Sequence, residues 1–481
     1  MKLSTLLTNA CHIAIDSSVW VDNLTLDSRL VKPGSVFFAC QGTKEDGRTY
    51  ISQAIAQGAS AILLEGEAVS VSNEGTIPFI TLPHLSQKVS AIAGYFYGSL
   101  NSDLLLTGVT GTSGKTSCAY FIASLWQLLG VPCGFIGTLG TGVFGHLQPS
   151  VLTTPDAVTL QQMLAALQTK VKTAVMEVSS HSLDQHRVKA LRFTMGIFTN
   201  LSRDHLDYHG QMEQYGAAKK RLFEQTDQAI INADDAFGLR LITAISSKQP
   251  CLTYSTQQKQ ADVVANQIRL TDSGLSAHLI TPWGEGDLHA ALLGEFNLSN
   301  LLAALSALCL MGQPLADVLA AIRHLQAVPG RMQVLGGQEK PLIIIDYAHK
   351  PDALEKVLIA LRAHCQGQLV CVFGCGGERD KGKRPIMAAI AEKYSDRVVV
   401  TNDNPRHEDP NAIIDDILKG FHQKERVIIQ QDRSKAIQDV IQYASAGDCI
   451  LIAGKGAETY QLIGDIKYPY SDMNQVKQLL G

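Results

Sequence analysis

Short runs of apolar residues alternate along this chain with longer stretches in which apolar side chains recur every three or four positions. The short runs are typical of strands buried on both faces, and the longer stretches are typical of amphipathic helices. This alternation predicts an α/β fold whose mostly parallel sheets are covered by helices. The predicted strands include residues 35–39, 61–64, 131–136, 174–178, 195–199, 229–231, 342–346, 369–373, 396–401, 427–429 and 449–453.

The chain has 481 residues, which is too long for one ordinary hydrophobic core. A glycine-rich segment follows the apolar residues 104–106 and opens a second region, and a turn signal at Val328-Pro329-Gly330 precedes a third. We therefore predict a small α/β domain at 1–102, a central domain at 103–332, and a doubly wound, Rossmann-like domain at 333–481.

Composition argues against nucleic-acid-binding, membrane-spanning and secreted proteins. The net charge of −4 gives no sign of affinity for nucleic acid or membranes. The longest apolar stretch, residues 301–311, is too short to span a bilayer, and we expect no signal peptide. The ten cysteines form no CxxC pair, so we expect reduced thiols and a cytoplasmic location.

The glycine-rich segment 107–117 reads TGVTGTSGKTS and lies between a predicted strand and a predicted helix. In that context its backbone N–H groups and the helix N-terminus can hold a phosphate group. Lys115 is placed to reach the outer phosphates and the Thr116 hydroxyl to bind Mg²⁺. The standard spacing asks for a glycine at Val109, so this loop departs from the usual phosphate-binding loop.

Glu177 lies near the end of the predicted strand 174–178, at the edge of a parallel sheet where ligands gather. Its carboxylate can hold Mg²⁺ beside Thr116. Alternatively, this segment forms a helix N-cap through Ser179 and Ser180.

Two further polar features are candidates for the site. The charged segment 200–209 contains His205, which is either a second metal ligand or part of a solvated loop. Lys219 lies on a helix predicted over 212–223, where composition alone favours a solvated side chain.

Asn297 and Asn300 are three residues apart at the start of an apolar helix. They either read the edge of a nucleobase or cap the helix. Farther along, four polar loops follow the predicted strands of the last domain, at 346–352, 374–385, 403–406 and 454–458. Together they place a ligand at one edge of that sheet.

With these motifs, the chain resembles the Mur ligases of peptidoglycan synthesis over essentially its whole length. Residues 110–116 are similar to the ATP loop of that family, which accounts for Val109. The segment from Asn200 to His205 and the segment 346–349 are similar to two further family motifs. The sequence Asp403-Asn404-Pro405-Arg406 resembles the motif that recognises meso-diaminopimelate, and the guanidinium fork can pair with a carboxylate that lysine lacks.

The resemblance implies an ATP-dependent amide ligase of cytoplasmic peptidoglycan-precursor synthesis. ATP would phosphorylate the D-glutamate side chain of UDP-N-acetylmuramoyl-L-alanyl-D-glutamate, and the amine of meso-diaminopimelate would attack the acyl phosphate. The resemblance also implies a UDP-binding first domain, an ATP-binding central domain, and an amino-acid-binding last domain. Mg²⁺, a carbamylated Lys219 and a monomer are expected.

The resemblance also assigns individual residues. Catalytic and metal-binding roles fall on Lys115, Thr116, Glu177, His205 and the carbamate of Lys219. The remaining ATP contacts are Gly111, Thr112, Ser113, Gly114, Asn297, Asn300, Arg331 and Asp346. The UDP-linked substrate falls to Leu26, Ser28, Thr43, Lys44, Glu45, Thr153, Thr154, Ser179, Gln185 and Arg187. Diaminopimelate falls to Arg379, Asp403, Asn404, Pro405, Arg406, Gly454 and Glu458.

Three alternatives compete with this hypothesis. A lysine-adding variant is disfavoured by Arg406. A folylpolyglutamate synthase-like ligase shares the ATP chemistry, but the first domain with Leu26-Asp27-Ser28-Arg29 argues against it. A nucleotide-binding regulator without turnover would not need the metal-site candidates Glu177, His205 and Lys219.

Overall fold

The computed structural model describes residues 1–42, 45–100, 103–257, 260–337 and 339–480. The chain forms two compact units, one containing residues 1–261 and 306–311 and the other containing 262–305 and the residues from 312 onward. Each unit is built from sheets and helices, so the α/β fold class is confirmed. The division into three domains stays a prediction.

The first unit begins with a five-stranded sheet in the order β1-β2-β3-β5-β4, parallel except for β4. Its core is formed by the inward faces of these strands and two helices, because apolar side chains of both pack into one cluster. The elements are α1 (Leu3–Cys11), β1 (Asn23–Thr25), β2 (Ser35–Ala39), α2 (Ile51–Ala56), β3 (Ala61–Glu65), β4 (Ser70–Glu74), β5 (Ile77–Leu82) and α3 (Leu85–Tyr97).

A second sheet of the first unit has the order β12-β11-β10-β6-β9-β7-β8, and all but β8 run parallel. Helix α5 begins where the side chain of Asp156 accepts hydrogen bonds from two backbone N–H groups. The elements are β6 (Leu105–Thr110), α4 (Lys115–Leu128), β7 (Cys133–Gly137), β8 (Gly140–Val143), α5 (Ala157–Gln168), β9 (Thr173–Glu177), α6 (Ser180–Asp184), β10 (Phe193–Phe198), α7 (Leu206–His209), α8 (Met212–Lys220), β11 (Thr226–Asn232), α9 (Ala236–Ile245) and β12 (Cys251–Ser255).

The second unit contains three antiparallel strands in the order β15-β14-β13. Sequence analysis predicted no strands there, because polar residues interrupt the apolar runs of these strands. The elements are β13 (Val263–Thr271), β14 (Gly274–Thr281), β15 (Gly284–Ala290) and α11 (Leu315–Ile322). Helix α10 (Glu295–Leu310) lies between them in the chain and has residues in both units.

The rest of the second unit is a sheet in the order β16-β17-β21-β18-β19-β20, parallel except for β16, with a hairpin of β22 and β23. Apolar clusters lie on both faces of this sheet, as expected of a doubly wound fold. The elements are β16 (Gln333–Gly336), β17 (Leu342–Asp346), α12 (Pro351–Arg362), β18 (Leu369–Phe373), α13 (Lys383–Tyr394), β19 (Arg397–Val400), α14 (Pro410–Leu418), β20 (Val427–Ile429), α15 (Arg433–Tyr443), β21 (Cys449–Ala453), β22 (Tyr460–Ile463), β23 (Ile466–Pro469) and α16 (Asp472–Leu480).

None of the helices in the described part of the chain combines the length and the apolar character that a membrane-spanning segment needs.

Candidate active site

The glycine-rich loop joins the carboxyl end of β6 to the N-terminus of α4. Gly111 has a φ of +151°, and a Cβ there would lie 1.9 Å from Thr199 Oγ1, so only glycine fits. Gly114 has a φ of +84° and directly precedes the helix. The Lys115 ammonium donates to the carbonyl oxygens of Gly111 and Thr112, both at 2.9 Å. A compact loop thus stands at a helix N-terminus, which is the geometry that binds phosphate.

The segment that follows β10 holds this loop in shape. The side-chain oxygen of Asn200 accepts a hydrogen bond from Ser113 N at 3.0 Å, and its amide donates back to Ser113 O at 3.1 Å. Thr199 Oγ1 donates to the same carbonyl at 2.6 Å. Because β10 pairs with β6, the two loops lie at the same edge of the sheet.

Glu177 ends β9, the neighbour of β6 on its other side, and its side chain is buried. Its Oε2 accepts a hydrogen bond from the Thr116 hydroxyl at 2.8 Å, and its Oε1 accepts one from Thr138 N at 2.7 Å. Glu177 therefore stands beside Thr116, in direct hydrogen-bond contact; its predicted role as a Mg²⁺ ligand stays a prediction. The N-cap interpretation of this segment is also correct for Ser179, whose side chain caps α6 by accepting a hydrogen bond from Ser182 N.

Lys219 is 1% exposed, so the interpretation as a solvated helical lysine is wrong. Its ammonium donates to the carbonyl of Gly111 at 2.7 Å and lies 4.4 Å from the centroid of the Tyr215 ring. Burial lowers the pKa of Lys219 well below its usual value, and the charge of Lys115 lowers it further. A buried amine beside the phosphate loop is thus biased toward its neutral, nucleophilic form.

His205 stands at the start of α7 with a φ of +53°. Its Nε2 is 3.5 Å from Asp204 Oδ2, and its ring centroid is 4.9 Å from that of His181. Burial, followed by the charge of His205, lowers the pKa of His181 to about 4. Among the described residues, no group of three or more His, Cys, Asp or Glu side chains is arranged to hold a metal.

The residues predicted to hold the sugar-linked dipeptide form a hydrogen-bonded group around the end of β9. Thr154 Oγ1 donates to Glu177 O at 2.8 Å and accepts from Ser179 N at 3.1 Å. Arg187 donates to Thr154 O at 2.8 Å and from its Nε to the Gln185 side chain at 3.0 Å. The hydroxyl of the remaining member, Thr153, lies 3.0 Å from that of Thr138. The structure brings these five residues together.

A cavity of about 680 Å³ lies where the first sheet of this unit faces the start of α5. Leu26, Ser28 and Glu45 line it, as predicted for the UDP end of the substrate. The Ser28 hydroxyl donates to the side chain of Gln53, another lining residue, at 2.8 Å. Two further candidates, Thr43 and Lys44, lie outside the described residues.

The other four nucleotide candidates belong to the second unit. Asn297 and Asn300 are buried on α10, and the Asn297 amide donates to Leu293 O at 2.8 Å. The Arg331 guanidinium lies 4.8 Å from the Tyr347 ring centroid. Asp346 is buried, which raises its pKa, and its two oxygens accept hydrogen bonds from the backbone N–H groups of residues 332 and 348.

A second cavity, of about 420 Å³, lies at the carboxyl ends of β17, β18, β19 and β21. Its lining contains six of the seven residues predicted for diaminopimelate, namely Arg379, Asp403, Asn404, Arg406, Gly454 and Glu458. Pro405, the seventh, belongs to the same loop and is buried. Gly454 has a φ of +115°, and a Cβ there would lie 2.7 Å from Asp403 Oδ2, so this close approach requires glycine.

Both signs of charge face this cavity. Arg406 has a φ of +53°, and its Nη1 donates to Gly377 O at 2.8 Å. Glu458 Oε2 accepts hydrogen bonds from the Asn404 amide at 2.9 Å and the Lys455 ammonium at 2.8 Å. A ligand that carries carboxylate and ammonium groups complements such a site.

Sequence analysis gave no role to three residues that the structure places in these sites. Thr138 binds Glu177 through its backbone, which no side-chain pattern reveals. Lys455 was predicted only as part of the polar loop 454–458. In the structure it is fully buried between Asn404 and Glu458. Arg384, also fully buried, pairs with the carboxylate of Glu408, two residues after Arg406.

Models of three Mur ligase regions match this chain. They are the Mur ligase family catalytic domain over residues 21–97, the Mur ligase middle domain over 109–308, and the Mur ligase glutamate ligase domain over 330–456.

Curated relatives match over nearly their whole length. A UDP-N-acetylmuramoyl-L-alanyl-D-glutamate–2,6-diaminopimelate ligase from Pseudomonas aeruginosa is 50% identical, covering 96% of this chain and 95% of the relative. The ligase of the same name from Coxiella burnetii is 45% identical, covering 100% of this chain and 99% of the relative.

Solved structures give the same comparison at the level of fold. A structure with the same ligase name has a TM-score of 0.76 at 36% identity, covering 100% of this chain and 99% of that one. Folylpolyglutamate synthase from Mycobacterium tuberculosis, complexed with ADP, has a TM-score of 0.62 at 20% identity. It covers 77% of this chain and 92% of that one, a likeness of fold alone.

Proposed function

This chain belongs to the Mur ligase family, and we propose that it is the ATP-dependent ligase that adds meso-diaminopimelate to UDP-N-acetylmuramoyl-L-alanyl-D-glutamate. The observation that carries the proposal is the cavity of the second unit. Arg379, Arg406, Asp403 and Glu458 line it together, which suits an amino acid with charged groups at both ends. The identity of 45–50% with relatives of that name over the full chain supports it.

The reaction takes place in two steps. A carboxylate oxygen of the D-glutamate side chain attacks the γ-phosphorus of ATP, and ADP leaves. An amine of diaminopimelate then attacks the acyl carbon, inorganic phosphate leaves, and the amine loses a proton as the amide forms. Negative charge builds up around the transferred phosphoryl group, so positioned cations should dominate catalysis.

We assign the phosphates of ATP to the glycine-rich loop. Lys115 is tethered to two loop carbonyls in the structure, and we propose that it exchanges these contacts for the outer phosphates. We further propose that Asn297, Asn300, Arg331 and Asp346 contribute to the nucleotide site.

The oxygen atoms at this edge of the sheet suit the coordination of Mg²⁺. A hydroxyl and a buried carboxylate, those of Thr116 and Glu177, stand 2.8 Å apart, and both are the oxygen ligands that Mg²⁺ prefers. When bound, the ion neutralises charge on the phosphate oxygens. His205 is proposed as a further ligand.

We propose that Lys219 is carbamylated. Carbamylation joins the neutral amine nitrogen to the carbon of CO₂ with loss of a proton, and burial favours that neutral amine here. The product is an anion next to Lys115 and would supply an oxygen ligand that the unmodified side chain lacks.

The UDP-linked substrate is assigned to the first unit. We propose that its uridine end occupies the cavity lined by Leu26, Ser28 and Glu45, and that the hydrogen-bonded group including Thr154 and Arg187 holds the dipeptide. Thr43 and Lys44 stay candidates from sequence alone. We also propose a monomer in the cytoplasm. Its ten free cysteines suit a reducing compartment.

The deciding experiment measures phosphate release from ATP in the presence of the UDP-linked dipeptide, with either meso-diaminopimelate or L-lysine as the acceptor. We expect release that depends on all three substrates and that occurs only with diaminopimelate. Release with lysine would retain the ligase and reject the assignment of Arg406. No release with either acceptor would overturn the proposed function.

A further inference from the structure

Lys455 is a fully buried lysine next to the cavity of the second unit, and the proposed chemistry does not use it. Its side chain cannot reach a solvated position, and a buried ammonium is costly unless it is paired. It is the second residue after β21, in the loop that also carries Gly454 and Glu458. Its burial therefore needs an explanation in terms of its partners.

Both hydrogen-bond acceptors of the Lys455 ammonium come from the predicted amino-acid site, and its Nζ also lies 5.9 Å from the centroid of the Tyr460 ring. The ammonium donates to Asn404 Oδ1 at 2.9 Å and to Glu458 Oε2 at 2.8 Å. The Asn404 oxygen also accepts from Leu462 N at 2.9 Å, and the Asn404 amide donates to Glu458 Oε2 at 2.9 Å. Since both donors point at Asn404 Oδ1, the orientation of this amide is fixed.

The network divides the two oxygens of Glu458. Oε2 accepts hydrogen bonds from Lys455 and Asn404, whereas among the described residues no side-chain or backbone donor is seen on Oε1. Glu458 lines the cavity, so Oε1 is the oxygen that remains for a ligand. An ammonium group can bind such a carboxylate oxygen through a charge-assisted hydrogen bond.

We infer that Lys455 is a positioning residue for the amino-acid substrate: it fixes Asn404 and Glu458 so that Glu458 Oε1 is presented to a substrate ammonium group. This inference rests on the proposed function and deepens it. Lys455 touches no substrate in this scheme. It acts through Glu458, which predicts that the two residues are energetically coupled.

The test is a double-mutant cycle of Lys455→Met and Glu458→Gln in the full chain, read as the KM for meso-diaminopimelate. Each single variant should raise that KM about tenfold or more, because a charge-assisted hydrogen bond is lost or misplaced. The double variant should be no worse than Glu458→Gln alone. The KM values for ATP and for the UDP-linked substrate should change less than about twofold.

Lys467→Met is the matched control, since this exposed lysine lies over the Tyr460 ring in the adjacent hairpin. It should leave all three KM values unchanged. If Lys455→Met does not fold, as judged by its melting temperature, Lys455→Gln replaces it, because glutamine keeps one donor group.

With an active wild-type protein, two results overturn the inference. The first is an additive cycle, and the second is a parallel rise in all three KM values, which would indicate a structural role. A wild-type protein without diaminopimelate-dependent phosphate release overturns the proposed function, and the inference with it. Wild-type turnover with an additive cycle rejects Lys455 alone.

Discussion

Replacing Arg406 with lysine should weaken the use of meso-diaminopimelate without weakening the use of ATP. The Arg406 guanidinium lines the cavity of the second unit and is anchored by one donor, Nη1, which reaches Gly377 O at 2.8 Å. A guanidinium has five N–H groups, so enough remain for a bidentate contact with a carboxylate. Lysine keeps the charge but loses the fork and its anchor.

The magnitude follows from the bond that is lost. A hydrogen bond between charged groups contributes about 1.5–3 kcal/mol, which corresponds to about a 10- to 150-fold fall in kcat/KM for meso-diaminopimelate. L-lysine lacks the distal carboxylate, so neither the wild type nor the variant should release phosphate with it.

The assay is phosphate release with each acceptor in turn, with the KM for ATP measured alongside. Arg397→Lys, at an exposed position on β19, is the matched control and should change none of these values. An unchanged kcat/KM for meso-diaminopimelate would refute the reasoning, since Arg406 would then not contact the distal carboxylate. So would a comparable rise in the KM for ATP.

Three further outcomes are expected. Lys219→Ala should lose most of its activity and regain part of it with added acetate. The control Lys220→Ala should stay active. Absence of rescue would leave the carbamate without support. Gly454→Ala should raise the KM for diaminopimelate more than tenfold, because a Cβ there would lie 2.7 Å from a carboxylate oxygen at a φ of +115°. Burial lowers the pKa of His364 from its usual 6.5, so the unfolded chain binds more protons below pH 6.5 and stability falls as pH decreases. The melting temperature of His364→Gln should therefore fall less between pH 7.5 and 5.5 than that of wild type or of the exposed control His12→Gln, and equal losses in all three would contradict this.

The sequence predicted most of the parallel strands because each is a short, continuous apolar run. Strands β17, β18, β20 and β21 have the bounds expected from that signal. The antiparallel strands β13 to β15 were missed, because polar residues interrupt their apolar positions and leave no continuous apolar run to detect.

Burial of individual polar residues was harder to predict than the location of polar loops. Helix α8 is polar in sequence, so its pattern suggested that Lys219 is solvated. In the structure, this side chain reaches a carbonyl at Gly111, 108 residues away in sequence. Only the pairing of strands brings that loop and that helix together, and no local pattern encodes it.

The same distinction applies to the amino-acid site. The rule that ligands gather at the carboxyl ends of parallel strands was enough to select the loops at 403–406 and 454–458, because each follows an apolar strand. It could not reveal that Lys455 joins them, since a lysine flanked by two glycines is typical of an exposed turn. Its burial follows from Asn404, 51 residues earlier, which supplies the acceptor that makes a buried ammonium tolerable. A variant that removes this acceptor, Asn404→Leu, should therefore destabilise the protein more than Lys455→Met, because it leaves the ammonium buried with one partner fewer. The opposite order of melting temperatures would show that loss of the lysine destabilises the protein more than loss of its acceptor does.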